Sequence, residues 1–381
     1  MSREGDGSGG GSGGREREST PGSTGDRERQ FGAGTGDGIE TPPEVEMQDE
    51  STSEGGKHLP SRVGRFLRAH GVELTVVFAV CVFFALVVAS DADAVLASFE
   101  RFDWRVLFVV MGLTTGGFAF RFWKWEYFLR HLGIRVPLVT SLLVFVGGLM
   151  MVITPMKGGG VWKGWLLKET DGVPISRVVS VVVAERVTDL LALSALASIG
   201  VVLYNRSAVA VGLLVGGFLA VILLIQWRGF CLAVLSWFQS VPVVGDYADP
   251  LVTAYEDSYV LLQITPLSVS FGLSLLAWTI EGMSLWFVLR GLDMPADPLV
   301  GLSVFGIGSV VGGVSMLPGG LGAAEASIAG LLVAFGYDRA TATSATIIVR
   351  VGTLWYGAAL GGLGYTLFKL RQQLSPRLVE S

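Results

Sequence analysis

Leu317-Pro318-Gly319-Gly320-Leu321-Gly322-Ala323-Ala324-Glu325 is the stretch on which the reading of this chain turns. An apolar run, residues 298–316, leads straight into it, and a short apolar stretch, about 323–335, follows. Crossing a bilayer takes about 20 mostly apolar residues, so the second stretch is too brief to cross. Proline removes a backbone donor and glycine permits conformations that other residues resist. Inside hydrocarbon, freed backbone groups go unpaired unless protein, water or a ligand satisfies them, so breaks of this kind belong where the chain lines a cavity. The motif therefore predicts a broken, re-entrant helix within a membrane protein.

A second stretch has the same grammar. Thr154-Pro155-Met156-Lys157-Gly158-Gly159-Gly160-Val161-Trp162-Lys163-Gly164-Trp165 also follows an apolar run and opens a short apolar helix, about 161–168. Each short helix ends in a polar turn (Thr170-Asp171-Gly172; Gly336-Tyr337-Asp338) and leads into a long apolar segment that carries an arginine. Pro155 precedes Arg186 by 31 residues and Pro318 precedes Arg350 by 32. This near-equality predicts an internal repeat. Close helix packing through small residues is the plainer use of such glycines.

The rest of the chain agrees with a membrane location. Of 381 residues, 51% are hydrophobic and 16% charged, against about a quarter charged in soluble domains; the mean hydropathy is +0.56. Residues 1–58 are polar, with 13 acidic and 6 basic side chains. Such a segment cannot bury enough apolar surface to order itself and is expected to be disordered. Its net charge of −7 outweighs the chain's total of −5, so the low pI belongs to the tail. Its acidity has a halophilic character. Residues 59–372 are expected to form the membrane domain and 373–381 a short cytoplasmic tail. Cys81 and Cys231 lie in apolar contexts and read as buried thiols.

Candidate spans fall at 72–89, 106–122, 138–153, 176–204, 207–227, 266–289, 298–316 and 341–368. The expected fold is thus all-α: a polytopic helical bundle of about eight transmembrane helices, with two re-entrant broken helices in an internal repeat. Lys and Arg before the first span, after the second (Arg121, Lys124, Arg130, Arg135) and at the C-terminus place both termini in the cytoplasm. Lys157, Lys163, Lys168 and Arg177 violate this rule, falling on the outer side by the same count. By that count an even number of spans separates the breaks, so the repeat axis is expected along the membrane normal. The run Arg121 to Phe128 reads as an interfacial anchor.

Ionisable residues inside spans mark either ion pairs or functional sites. Glu185, Arg186 and Asp189 share one helix side by their spacing; Arg350 lies in the last span, Glu281 in the sixth and Glu325 in the second short helix. Arg186 with Asp189 and Arg350 with Glu325 are the structural alternative. The functional alternative is an anion site in which Lys157, Lys163, Arg186 and Arg350 hold a phosphate, guanidinium being suited to bidentate contact. The expected substrate-binding residues are Lys157, Lys163, Glu185, Arg186, Asp189, Glu325 and Arg350. The breaks are assigned to Pro155, Gly158, Gly159 and Gly160, and to Pro318, Gly319, Gly320 and Gly322.

Together, Thr154-Pro155 with its glycines, Glu185-Arg186 with Asp189, Leu317 to Gly322 with Glu325, and Arg350 resemble the transmembrane region of the lysylphosphatidylglycerol synthases, a flippase-like family. The resemblance covers most of residues 60–372. It implies a helical bundle with re-entrant helices that moves a lipid between leaflets. The best-known members carry a soluble aminoacyl-transfer domain after this region; here the sequence stops at Ser381, so lipid aminoacylation is not expected. Archaeal relatives are associated with polyprenyl- or dolichyl-phosphate sugar lipids, which the resemblance permits as substrates. The reading is a transporter rather than an enzyme, in the cell membrane. Its expected partners are an anionic lipid and the bilayer, with no nucleic acid, cofactor or metal. A polyprenyl-phosphate-sugar-dependent glycosyltransferase using Asp91 and Asp93, and an ion-coupled small-solute transporter using Glu185, Asp189 and Glu281, are the alternatives.

Overall fold

The computed structural model describes residues 62–153, 159–205 and 248–374, with isolated positions between 212 and 233. The acidic tail, Pro155, Lys157, Gly158 and Cys231 lie outside the described residues, as do most of 207–227 and the last residues of the C-terminal tail. All the described elements are helical. They are α1 (Arg62–Val88), α2 (Ala92–Arg101), α3 (Arg105–His131), α4 (Leu138–Leu149) with a 3-10 turn at Met150–Ile153, α5 (Gly159–Asp171) and α6 (Ile175–Asn205). After the poorly described stretch come α7 (Ala248–Leu261), α8 (Ile264–Gly291), α9 (Pro298–Val314), a 3-10 turn at Pro318–Gly320, α10 (Ala323–Ala334), α11 (Arg339–Arg350), a π turn at Val351–Trp355 and α12 (Tyr356–Leu374).

Local chemistry sets several of these boundaries. Asp91, Asp297 and Asp338 cap α2, α9 and α11 by accepting N–H groups of the first turn, and Pro298 follows its cap where a missing donor costs nothing. Asp91 thus has a structural task, at the 101° bend between α1 and α2. Gly133, at φ +72°, ends α3 where the Ile134 N–H returns to the Leu129 carbonyl, a backbone turn that glycine adopts without strain.

Three described helices are long and apolar enough to cross a membrane: α3, α8 and the continuous unit α11–α12. A fourth is reached if α1 and α2 are taken as one bent span. The two apolar runs that precede the breaks, expected as spans at 138–153 and 298–316, are instead short helices. At 1.5 Å per residue, α9 extends about 25 Å and α10 about 18 Å, short of the ~30 Å hydrocarbon core. They fold back on each other, Gly312 meeting Ala324 and Gly308 meeting Ile328. In the first half Gly148 of α4 lies on Lys163 of α5, and α5 in turn runs antiparallel to α6, Gly164 on Ile175 and Gly160 on Val182. The second break is therefore the tip of a hairpin that returns to the end of the bundle it entered from, and α4 and α5, on either side of residues 154–158, also lie against each other.

This geometry removes the exception to the positive-inside rule. Arg177 donates to the Leu132 carbonyl (2.8 Å), just beyond α3, and Lys369 of α12 lies 3.7 Å from Glu169. Lys168 and Arg177 thus share the end of the bundle with Arg130 and the C-terminal cations, because the α4–α5 hairpin does not cross.

The helices fall into two comparable series, and the direction of the central pair differs from expectation. The helix series α3–α6 is answered by α8–α12, and the packing is reciprocal: α4 lies on α12, and α9 on α6. At the centre α3 and α8 run antiparallel, with Phe102 beside Gly291, Arg121 beside Glu281 and Lys124 beside Ser274. Rotation about an axis parallel to two helices preserves their direction, so antiparallel mates require an axis perpendicular to them. An internal repeat with α3 and α8 as mates is therefore an inverted one. Treating 298–316 as a complete crossing made the parity even; as a hairpin arm it contributes no crossing.

Small residues allow the close approaches: a Cβ on Gly361 would overlap the Met150 backbone, and one on Gly364 would reach Val146 at 2.6 Å. The exterior is apolar, with Phe108 75% and Ile264 81% exposed, as a lipid-facing surface requires. Cys81, expected to be buried, is on that surface.

Candidate functional site

Charges that the sequence scatters over four helices meet in one buried network. Lys124 of α3, 1% exposed, gives its ammonium to Asp189 Oδ1 (2.6 Å), Ser274 Oγ (2.8 Å) and Thr188 Oγ1 (3.3 Å). Asp189 also accepts from Ser274 Oγ (3.0 Å) and from the Trp278 indole N–H (3.1 Å). Lys163 of α5 pairs with Glu185 at 3.3 Å, its ammonium lying over the rings of Trp125 (4.4 Å) and Phe145 (4.7 Å). Arg121 pairs with Glu281 and stacks on Trp278, 4.0 Å from the ring centroid. The ammonium groups of Lys124 and Lys163 and the Trp278 indole N–H meet carboxylates, hydroxyls or aromatic faces, as low-dielectric burial demands; the buried Arg121 Nε has no hydrogen-bond partner.

Arg186 differs from its neighbours. Its side chain is 60% exposed, and its contact with Asp189 is long at 3.9 Å. It protrudes from a network whose other cations are enclosed. Of the residues expected to bind substrate, the structure brings Lys163, Glu185, Arg186 and Asp189 together; Lys157 lies outside the described residues.

Glu325 and Arg350 sit elsewhere, at the second break. Arg350 Nε meets Glu325 Oε1 at 2.5 Å, and its Nη2 donates to the Gly319 carbonyl at 2.7 Å. The other Glu325 oxygen accepts the Gly322 N–H at 2.7 Å, where α10 begins. Glu325 is fully buried and Arg350 12% exposed. This pair holds the break itself: Gly319, Gly320 and Gly322 all take positive φ (60°, 68° and 84°), a region that side chains resist. Gly320 also lies directly against Gly312. At the first break, Gly159 and Gly160 open α5, and Gly160 packs on Val182. The 3-10 turns of the two breaks lie against each other.

The repeat supplies an internal comparison. Arg186 stands eleven residues into α6 and Arg350 eleven into α11. The residues at the places of Glu185 and Asp189 are then Val349 and, across the π turn, Thr353; the place of Lys124 on α8 is taken by Ser284. One half of the fold is therefore built without the charges that fill the other.

Sequence reasoning missed Lys124, Ser274, Trp278 and the role of Arg121. The run 121–128 is an anchor only in part: Trp123 is 59% exposed, but Lys124, Trp125 and Phe128 are in the core. The available signal was helical spacing, since Arg121, Lys124, Trp125 and Phe128 lie three and four apart on one face. Glu281 is held by Arg121.

Residues 72–361 match the family described as the lysylphosphatidylglycerol synthase transmembrane region. A protein of Methanothermobacter thermautotrophicus described as a UPF0104 membrane protein is 27% identical over 307 residues, covering 73% of this chain and 88% of the relative. Another UPF0104 membrane protein, from Methanocaldococcus jannaschii, is 25% identical over 203 residues, covering 52% of this chain and 85% of its own length. With three-quarters of its length in that match, this chain is a membrane protein of the lysylphosphatidylglycerol synthase transmembrane-region family.

Proposed function

We propose that this protein acts as a transporter rather than an enzyme, moving an anionic, phosphate-bearing lipid between the leaflets of the cell membrane, with both termini on the cytoplasmic side. A polyprenyl-phosphate-linked sugar is within the class. The observation that carries the reading is Arg186: its side chain is 60% exposed at the edge of a paired, buried charge network. An exposed arginine beside satisfied lysines and carboxylates is free to take a phosphate in bidentate fashion. Lys124 and Lys163, already engaged, keep the local potential positive. The adjoining breaks supply the polar path that a headgroup needs through hydrocarbon, and an inverted repeat suits a site reached alternately from either side.

The test is translocation of a labelled anionic lipid in proteoliposomes. Wild-type protein is expected to move it, Arg186→Ala to lose more than tenfold in rate, and Arg186→Lys to retain part of it. An Arg186→Ala variant as fast as wild type would overturn the assignment.

A further inference from the structure

The buried charge network has an uncharged counterpart between α3, α8 and the π turn, built from oxygens. The two helix series match closely enough to be compared place by place. Ser98 Oγ donates to the Ala94 carbonyl (2.9 Å), and Ser258 Oγ, at the interval that separates Arg121 from Glu281, donates to the Ala254 carbonyl (2.6 Å). Gly133 and Asp293 share positive φ (72° and 57°), and just after them Ile134 and Met294 return their N–H groups to the carbonyls of Leu129 and Leu289. Gly172 and Gly336, also at positive φ, precede α6 and α11 at the interval that separates Arg186 from Arg350.

Lys124 is the side chain whose counterpart differs most in chemistry. Its ammonium lies among the Asp189 carboxylate, the hydroxyls of Ser274 and Thr188, and the Glu185 carbonyl at 3.4 Å. By the same intervals Ser284 takes the place of the lysine, Thr114 that of Ser274 and Thr353 that of Asp189, with Gly352 and Val349 at the places of Thr188 and Glu185. The elements that carry these residues converge. Leu285 and Val288, beside and one turn beyond Ser284, pack in one cluster with Val110 of α3 and with Ile348 and Val349 of α11. Thr114 Oγ1 reaches across to the Gly352 carbonyl in the π turn at 3.1 Å.

A hydroxyl has one proton and two lone pairs. Thr114 directs its proton to the carbonyls of Val110 (2.9 Å) and Gly352, and Thr353 directs its own to that of Val349 (2.7 Å). Ser284 Oγ is fully buried and has no hydrogen-bond partner. Among the described residues, nothing donates to any of the three hydroxyls. The cluster thus offers more acceptors than donors in a dry interior, where unmet oxygens are penalised. In the first series an ammonium meets the same demand. Carbonyls at a departure from α-helical geometry are a recurrent way to hold a small cation inside a membrane. No carboxylate belongs to the cluster, and Glu281, one turn before Ser284, is engaged by Arg121. Neutral oxygens leave the charge of a divalent ion uncompensated, so a monovalent ion suits them better.

We propose that a sodium ion binds between α3, α8 and the π turn, held by the hydroxyls of Thr114, Ser284 and Thr353 and by the carbonyls of Val349 and Gly352. It takes the place that the Lys124 ammonium has in the first series. The site is separate from Arg186 and does not rest on the function proposed above.

The test is equilibrium binding of radioactive sodium to the full chain in detergent, with thermal melts in sodium, potassium or choline chloride at equal ionic strength. Wild type is expected to bind about one sodium per chain saturably and to melt higher in sodium than in the other salts, as a ligand of the folded state requires. Ser284→Ala removes a hydroxyl that makes no internal bond, so the fold is kept, and it is expected to weaken sodium binding about tenfold. Thr114→Val is expected to do the same from another helix, whereas Ser270→Ala, which removes a different unpartnered hydroxyl of α8, leaves binding unchanged. The double variant Ser284→Lys with Thr353→Asp supplies its own ammonium and carboxylate, and is expected to bind no sodium and to melt alike in all the salts. Absence of saturable sodium on wild type, or equal wild-type melts in every salt, overturns the site whatever the variants do. Saturable sodium that survives Ser284→Ala undiminished overturns its location. Lipid movement is not the readout, so either failure leaves the proposed function standing.

Discussion

Arg121 and Glu281 form an ion pair across 160 residues of sequence, and the same interval separates Leu138 from Pro298 at the starts of α4 and α9. The two partners are therefore each other's counterparts in the inverted repeat, and their contact lies on the pseudo-twofold axis between α3 and α8. The rings beside the guanidinium follow the rule too: Phe118 and Trp278 hold equivalent positions, and both face Arg121.

An on-axis pair tolerates exchange better than loss. Arg121→Ala or Glu281→Ala leaves a buried charge unpaired, expected to cost about 3–5 kcal/mol. The swap Arg121→Glu with Glu281→Arg places the new guanidinium beside Phe118 and recovers most of that loss. Thermal unfolding in detergent checks this; a swap no more stable than the single variants would refute the symmetry.

The Lys124–Asp189 pair has neutral residues at the equivalent places of the second half. Lys124→Met alone leaves buried Asp189 to Ser274, Trp278 and the long contact with Arg186, with an expected loss of about 3–5 kcal/mol. Adding Asp189→Leu is expected to restore stability close to wild type, since apolar replacement of a whole buried pair is often neutral. The measurement is again a detergent melt, comparing single and double variants.

Contacts between α4 and α12 depend on missing side chains. Gly361→Leu pushes into the Met150 backbone and is expected to destabilise by about 1–3 kcal/mol. Gly116→Ala, whose Cβ would sit an ordinary 3.6 Å from Ile280, is expected to change the melting temperature little. Equal effects of the two would show that the α4–α12 approach is looser than described.

Asp338 gives a pH prediction at the turn before α11. Burial pushes its carboxyl up, but the hydrogen bonds from Thr341, one of them the N–H at 2.9 Å, hold it below the usual carboxylate range. A carboxyl depressed on folding stabilises fully above its unfolded value, and that contribution is lost as pH falls through the folded one. Asp338→Ala is therefore expected to cost about 1 kcal/mol at neutral pH and progressively less as the medium is acidified below the carboxylate range. Melts of wild type and variant across pH 3–7 measure the convergence.

Much of the site was legible one helix at a time. Glu185, Arg186 and Asp189 announce themselves because three ionisable residues within five positions are costly in an apolar segment. Pro318 with Gly319, Gly320 and Gly322 announces a break because few other sequences accept that backbone. Lys124 was concealed by company: next to Trp123, Trp125 and Tyr127 it has the composition of an interfacial belt. Only its direction, inward toward Asp189, distinguishes it from an anchor.

The sequence by itself determined the membrane class, the break at Pro318 to Gly322 and the family, since each rests on local composition or on motifs along the chain. The tertiary structure decided the antiparallel pairing of α3 with α8, the short-helix nature of the runs before each break, and, among the described network cations, that Arg186 is the one with the long contact to its carboxylate. Those depend on whether a helix of 12 to 17 residues crosses or turns back, and on which side chains from α3, α5, α6 and α8 meet. Pairing between segments 160 residues apart has no local signature; it exists only when the helices pack.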